Sequence, residues 1–262
     1  MLIKWVFDRN RDVVAVIPTM EISSVISQNL AKELDSFNVD SLFVQNRGTT
    51  FSFANSMNQG INEVLKRPFV KYIILSNDDI SKITGLEELL KALDEKKADY
   101  AQPFVNGQRG SLIFTSSVVR AMLNWGTRKR APLYALRIIS MIRKINKNKK
   151  FLISAPAIFK SKGIVRVQPF AVFKREILEK HRFDENLING AEDDDFAYTL
   201  WKENYKGISK KEWGVVHASN LSFKQVNPKS KTGGFYGSDE QLGRNWAYFT
   251  VKHLLDPAKK KV

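Results

Sequence analysis

The chain has no cysteine among its 262 residues, which removes disulfides, thiolate metal sites and cysteine nucleophiles from consideration. That usage suits a reducing compartment, or a hot one in which labile residues are disfavoured. No stretch approaches the roughly 18 consecutive apolar residues that a membrane span requires. The opening MLIKWVFDRNRD has neither the apolar core nor the small-residue cleavage site of a secretory leader, so a cytoplasmic chain is expected. Acids are also missing from one long segment: residues 100–175 contain no Asp or Glu, yet they hold 16 of the 42 Lys and Arg residues. The remainder is nearly neutral, with 26 basic against 27 acidic residues, so this segment carries the whole formal charge of +15. A solvated basic surface is one reading of such a run; an anionic partner facing it is the other.

What is present is enough for a proper core, since 43% of the residues are apolar. VVAVIPT, residues 13–19, reads as a central strand closed by Pro18. Residues 21–34 repeat apolar positions at helical spacing. A second strand over 41–45 gives way to a polar loop and a helix over 53–65, and a third strand, 70–75, follows. Beyond it the pattern predicts a helix over 86–97, a strand over 99–105, a strand over 165–173, a helix over 191–204 and a strand over 213–217. Strands alternating with helices in this order argue for an α/β fold, a mostly parallel sheet flanked by helices with right-handed crossovers.

The third strand ends abruptly in Ser76, Asn77, Asp78 and Asp79. Ligands of open α/β sheets bind just outside the carboxyl ends of the strands, and adjacent carboxylates repel unless a cation neutralises them. Oxygen ligands of this kind suit Mg²⁺ or Mn²⁺. The alternative is a polar turn in which Asp78 or Asp79 caps the next helix. A second acidic cluster, Glu192 to Asp195, falls in the first turn of the 191–204 helix, where carboxylates suit the helix dipole. His217 closes the last strand; a histidine there is more often structural than a ligand. Taken together, the three groups match a metal-plus-base site for transfer from a phosphate ester.

These motifs resemble the large family 2 of inverting nucleotide-sugar glycosyltransferases, with the GT-A fold, and most closely its rhamnosyltransferase-like branch. VVAVIPT is similar to the family's opening strand, NSMNQGI to its Asn-x-Gly-Ile helix, and SNDDI to its Asp-x-Asp motif with Asn77 in the first acidic place. The block from Phe170 to Lys206, in which a Phe-Asp-Glu turn precedes Glu192 and Asp193, resembles the acceptor-side block and is the most specific signal. VVHASNLS and GRNWAYFTVKH resemble the region of the metal-binding histidine and the closing helix. The resemblance implies that Asp79 binds a Mn²⁺ or Mg²⁺ holding the donor's diphosphate, with Asn77 and Asp78 beside it and His217 as a further ligand. It makes Asp193 the base that deprotonates the acceptor hydroxyl and Glu192 its neighbour in the same site. Pro18, Thr19 and Asn58 become donor-side positions. Relatives follow their second strand with an acid that contacts the base or ribose; here the strand runs SLFVQNRGTT, and Asn46 or Arg47 stand in that place.

On this resemblance residues 1–99 form a nucleotide-sugar-binding half, 100–225 an acceptor-binding and catalytic half, and 226–262 a flexible loop and closing helix. Within the acid-free segment, 132–145 has the pattern of a basic amphipathic helix. It either packs on the body of the protein or lies on an anionic bilayer, presenting the site to a glycan or lipid-linked acceptor. Nucleic acid is disfavoured, because no RNP-type strand, zinc spacing or recognition helix accompanies the charge. Thr232, Gly233, Gly234 and Gly237 suit a lid or a flexible connector, with Lys231 and Arg244 within reach of donor phosphates if it closes. The rival from another class is a non-catalytic sugar- or membrane-binding module on the same scaffold.

Overall fold

Strand β2 (Val13–Thr19) is buried along its whole length, and the two faces of its alternating side chains explain why. Val13, Ala15 and Ile17 join a core with Leu30, Ala31 and Leu34 of helix α1 (Val25–Ser36). On the opposite face Val16 meets helix α2 (Phe53–Leu65) at Gly60, where an added Cβ would lie 2.3 Å from a Val16 methyl. The glycine in Asn-x-Gly-Ile is there because helix and sheet touch backbone to side chain.

The computed structural model describes residues 1–46, 52–95, 98–106, 165, 167, 169–188, 190–210, 212–217, 244–245, 248–249 and 252–253. The chain divides into two compact units, one of Met1–Gln108 with Val165–Ser238, the other of Arg109–Ile164 with Asp239–Val262. Among the described residues of the first unit, the main sheet has seven strands in the order β1-β3-β2-β4-β8-β6-β9. These are β1 (Leu2–Phe7), β3 (Asp40–Gln45), β4 (Tyr72–Ser76), β6 (Tyr100–Ala101), β8 (Phe170–Lys174) and β9 (Gly207–Ile208) around β2. Only β1 and β8 run against the common direction, so the sheet is mostly parallel and flanked by helices, as the sequence pattern predicts. A smaller sheet joins β5 (Ile80–Thr84), β10 (Gly214–His217) and β7 (Phe104–Asn106) in the order β5-β10-β7. The remaining helices are α3 (Leu86–Asp94), α4 (Arg175–Lys180) and α5 (Glu192–Lys202).

Several boundaries differ from the sequence reading for local reasons. Helix α1 starts four residues later than its apolar period, because Ser24 caps it by accepting from the Ser27 N–H. Strand β1 was hidden in the opening segment, which is too exposed to carry a core signal. Strand β5 was hidden because it is short and buries only Ile80 and Ile83. The 99–105 strand is split into β6 and β7, which serve different sheets.

Helix α4 fixes the far end of α2. The Arg175 guanidinium donates to the carbonyls of Leu65 and Arg67, each at 2.7 Å, supplying a cation and two donors to a helix C-terminus. In the second unit, residues 244–245, 248–249 and 252–253 are helical, and the Phe249 and His253 rings lie 4.8 Å apart. The 132–145 segment, the 232–237 loop, Lys231 and Arg47 lie outside the described residues. No helix among the described residues is long and apolar enough to cross a membrane.

Candidate functional site

The chain leaves β2 through α1 to reach β3 on one side, then returns through α2 to β4 on the other. Between β2 and β4 the connections diverge, and it is at such a switch point, outside the carboxyl edge, that the crevice of an open α/β sheet is expected. Thr19, the last residue of β2, and Asp78, just past β4, meet there. The Thr19 hydroxyl donates to Asp78 Oδ2 at 2.7 Å. Asn46 reaches the same edge, its N–H donating to the Thr19 carbonyl at 3.1 Å, and Asn77 is tied to the Pro169 carbonyl at 2.9 Å. Pro18 is buried inside β2, opposite Val44.

Asn77, Asp78 and Asp79 are all half-buried. The alternative in which an aspartate caps the following helix does not hold. Strand β5 intervenes, and α3 is capped by Gly85 at φ 72° with no side-chain hydrogen bond. Strand β10 pairs antiparallel with β5 so that His217 stands opposite Ile80, one residue beyond Asp79. Its side chain lies outside what is described.

The second acidic cluster arrives by a different route. After α4 the chain climbs α2 in reverse. Arg182 donates to the Asn62 side-chain Oδ1 through two nitrogens at 3.1 and 3.0 Å. Phe183 exchanges a pair of 3.0 Å hydrogen bonds with the Asn58 amide. Glu185 accepts from Asn58 at 2.8 Å and from Asn55 at 2.9 Å. Residues 182, 183 and 185 thus meet 62, 58 and 55. Because α2 follows β3, its first turn belongs to the carboxyl edge, and the climbing turn brings the chain to that edge at Glu185, shortly before α5 begins at Glu192. The Asn58 amide is committed to this clamp, and its donor-side contribution runs through the turn it holds.

Helix α5 is locked from beneath by stacking of Phe196 on Phe183 at 4.6 Å and by an edge contact to Phe173 at 5.8 Å. At its start Glu192, Asp193, Asp194 and Asp195 are 4%, 8%, 6% and 2% exposed. Four consecutive buried carboxylates are costly and belong to the pattern of functional sites. The Gly190 N–H donates to the Glu192 carboxylate, which favours its charge. Burial and, next, the negative charge of Asp193 outweigh this and push the Glu192 acid up to about 8. Ala191, immediately before, sits at φ 68°, a left-handed conformation that a residue with a Cβ adopts at a cost.

Another buried acid shows the contrasting, structural case. Asp40 is fully buried at the opposite edge of the sheet, where β3 begins. It accepts from the backbone N–H groups of Arg9 and Arg11 at 3.0 to 3.1 Å, so its charge is satisfied within the protein. Sequence reasoning missed Glu185, Asn55 and Ser27. The Phe-Asp-Glu turn and the Ser24-x-x-Ser27 spacing were the signals available for them.

Among the described residues no three acidic or histidine side chains form a closed metal cage. Half-buried Asp78 and Asp79 at a strand end fit a more open kind of site. Mg²⁺ or Mn²⁺ there is bound by one or two carboxylates and keeps positions for water and substrate phosphates.

No family model matches the sequence, and no curated protein matches it either. Among solved structures, A197 from STIV is similar at a TM-score of 0.44 and 12% identity, over 78% of this chain and 84% of that one. A Desulfovibrio desulfuricans G20 protein described as a nucleotide-diphospho-sugar transferase gives a TM-score of 0.37 at 8% identity, over 89% and 98% of the two chains. A glycosyltransferase involved in glycosylation of the major capsid of PBCV-1 gives 0.35 at 6% identity, over 88% and 98%.

Proposed function

We propose that this chain is an inverting glycosyltransferase of the GT-A type, moving a sugar from a nucleoside diphosphate to an acceptor hydroxyl. One observation carries the proposal. A half-buried carboxylate pair ends β4 beside Thr19, and the Asn58–Glu185 clamp turns the chain towards that edge shortly before a buried pair begins α5.

Asp193 accepts the acceptor hydroxyl's proton as the new bond to the anomeric carbon forms and the bond to the diphosphate oxygen breaks. A single displacement of this kind inverts that carbon, with oxocarbenium-like charge on the sugar in the transition state. Glu192 holds its own proton at neutral pH. It therefore adds no second negative charge beside the base and offers a hydrogen-bond donor within the site. Asp79 and Asp78 would hold Mn²⁺ or Mg²⁺, with Asn77 beside them and His217 as a further ligand. That ion supplies neutralisation of the charge growing on the leaving diphosphate. Asn46, Arg47 and Pro18 are the donor-side positions, and Thr19 stands behind them with its hydroxyl on Asp78.

The acid-free 100–175 segment favours an acceptor presented at an anionic surface, such as a lipid-linked glycan. Sedimentation with vesicles tests that part: equal binding to neutral and anionic lipid at low salt removes it. The central test is thermal stabilisation by UDP, GDP or dTDP with and without Mn²⁺, followed by donor hydrolysis or transfer in wild type and Asp193→Asn. Mn²⁺-dependent stabilisation, with turnover lost in the variant, is the expected result. Binding with no turnover across a broad donor panel would instead identify a non-catalytic sugar-binding module, and no nucleotide binding at all would overturn the proposal.

A further inference from the structure

Asp78 is held by a chain of hydroxyls running back into helix α1. Thr19 Oγ1 donates to Asp78 Oδ2 at 2.7 Å, accepts from the Glu21 N–H at 3.1 Å and lies 3.2 Å from Ser27 Oγ. Ser27 Oγ in turn reaches the Glu21 carbonyl at 3.1 Å and receives the Ser24 hydroxyl at 2.9 Å. Thr19 and Ser27 are 2% and 0% exposed. A hydroxyl has one proton to give. With that of Thr19 on Asp78, its oxygen accepts from the Glu21 N–H and faces Ser27 Oγ, whose own single proton alternates between Thr19 and the Glu21 carbonyl. A nucleotide arriving at this edge therefore finds Thr19 already engaged.

We propose that Thr19, backed by Ser27, is a positioning residue. It acts through Asp78, fixing one carboxylate oxygen so that the other faces the crevice where the donor's diphosphate and its cation bind, and it makes no contact with the nucleotide itself. This assignment rests on the donor-binding role proposed for the crevice. It departs from the sequence-based expectation that placed Thr19 directly on the donor. The physical logic is that of a metal-site outer shell: a ligating carboxylate is itself hydrogen-bonded, and loss of that partner weakens the site about 10- to 100-fold.

Three variants separate these roles. Thr19→Val keeps shape and removes the hydroxyl, Thr19→Ser keeps the hydroxyl and removes a methyl, and Ser27→Ala leaves Thr19 in place without its support. Calorimetric titration of UDP, GDP and dTDP in the presence of Mn²⁺ reads the effect without any turnover. Expected is a loss of about tenfold or more in Thr19→Val, recovery to within about threefold in Thr19→Ser, and an intermediate loss in Ser27→Ala. A direct nucleotide contact would instead leave Ser27→Ala unchanged.

Melting curves without nucleotide identify any variant that fails to fold. If Thr19→Val does so, the Thr19→Ser and Ser27→Ala pair still decides. Wild-type binding with no loss in Thr19→Val, or with Ser27→Ala at the wild-type value, overturns the positioning role and leaves the donor site standing. No binding by the wild type overturns both.

Discussion

The two acidic groups at the edge of the sheet are built in opposite ways. Asn77, Asp78 and Asp79 end a strand, stay half-exposed, and are steadied by a neutral hydroxyl from the neighbouring strand. Glu192 to Asp195 begin a helix and are almost wholly buried, and burial together with the charge of Asp193 pushes the Glu192 acid up to about 8. The first arrangement keeps its residues partly exposed at the end of a strand. The second withholds charge from solvent, which raises an acid's proton affinity. On the proposed function the first group binds an ion and the second takes a proton, and Asn55 and Asn58 of α2 hold the turn that leads to the second.

The largest expected effects break this comparison at its two poles. Asp193→Asn should lower turnover by about 10³-fold or more while leaving nucleotide affinity within about twofold, since proton transfer is lost and binding is not. Asp79→Asn should abolish Mn²⁺-dependent nucleotide stabilisation and turnover together, because the ion proposed to neutralise the leaving diphosphate is lost. Parallel losses of binding and turnover in both variants would collapse the distinction between the two groups.

Next comes the bridge. Asn58→Ala leaves the buried N–H and carbonyl of Phe183 without partners and should cost about 2–3 kcal/mol in denaturant unfolding. Exposed Glu185→Ala should cost much less stability yet reduce turnover about tenfold, because the acidic turn loses its hold on α2. Unchanged turnover in Glu185→Ala would show that the turn keeps its place without the clamp.

The pH dependence of stability sharpens the buried side. The Glu192 acid lies near 4.5 when unfolded and at about 8 when folded, so between these values the native state holds the extra proton. Stability from this group is therefore full below about 4.5 and declines as the pH rises towards 8. Glu192→Gln cannot titrate and should flatten that decline in melts at pH 5, 6.5 and 8; curves parallel to wild type would contradict the assignment.

The smallest effect is expected at Ala191→Gly. It relieves a left-handed Cβ and should stabilise the fold by up to about 1 kcal/mol, read as a rise in denaturation midpoint. A loss of stability would mean that the Cβ of Ala191 contributes packing worth more than the strain it causes.

Much of the scaffold was legible because β2, β4 and β8 are apolar on both faces and α2 has a clean helical period from Phe53 to Leu65. The strand-end acids were legible for the same reason: an apolar run stopping at Asn77 announces an edge. What could not be seen were the partners of polar groups. The period of residues 21–34 gave no sign that Ser24 would cut the helix short, and nothing local marked Thr19 as a hydrogen-bond donor to a residue 59 positions away. Asn58 was expected at the donor because its motif has that association. Its amide is bonded to Phe183 and Glu185, more than 120 residues further on, which no local pattern announced. Long-range satisfaction of buried amides is set by tertiary approach, which periodicity does not encode.

Gly60 gauges how near α2 can come to the sheet, and its missing side chain has a reach beyond its own neighbours. With 2.3 Å between an imagined Cβ and the Val16 methyl, any larger residue lifts the helix like a shim under a rail. Asn58 and Asn55 ride on the same rail, and the turn they grip leads straight to the proposed base. A single methyl at position 60 would thus shift the turn that precedes the proposed base without touching any group assigned to the proposed chemistry.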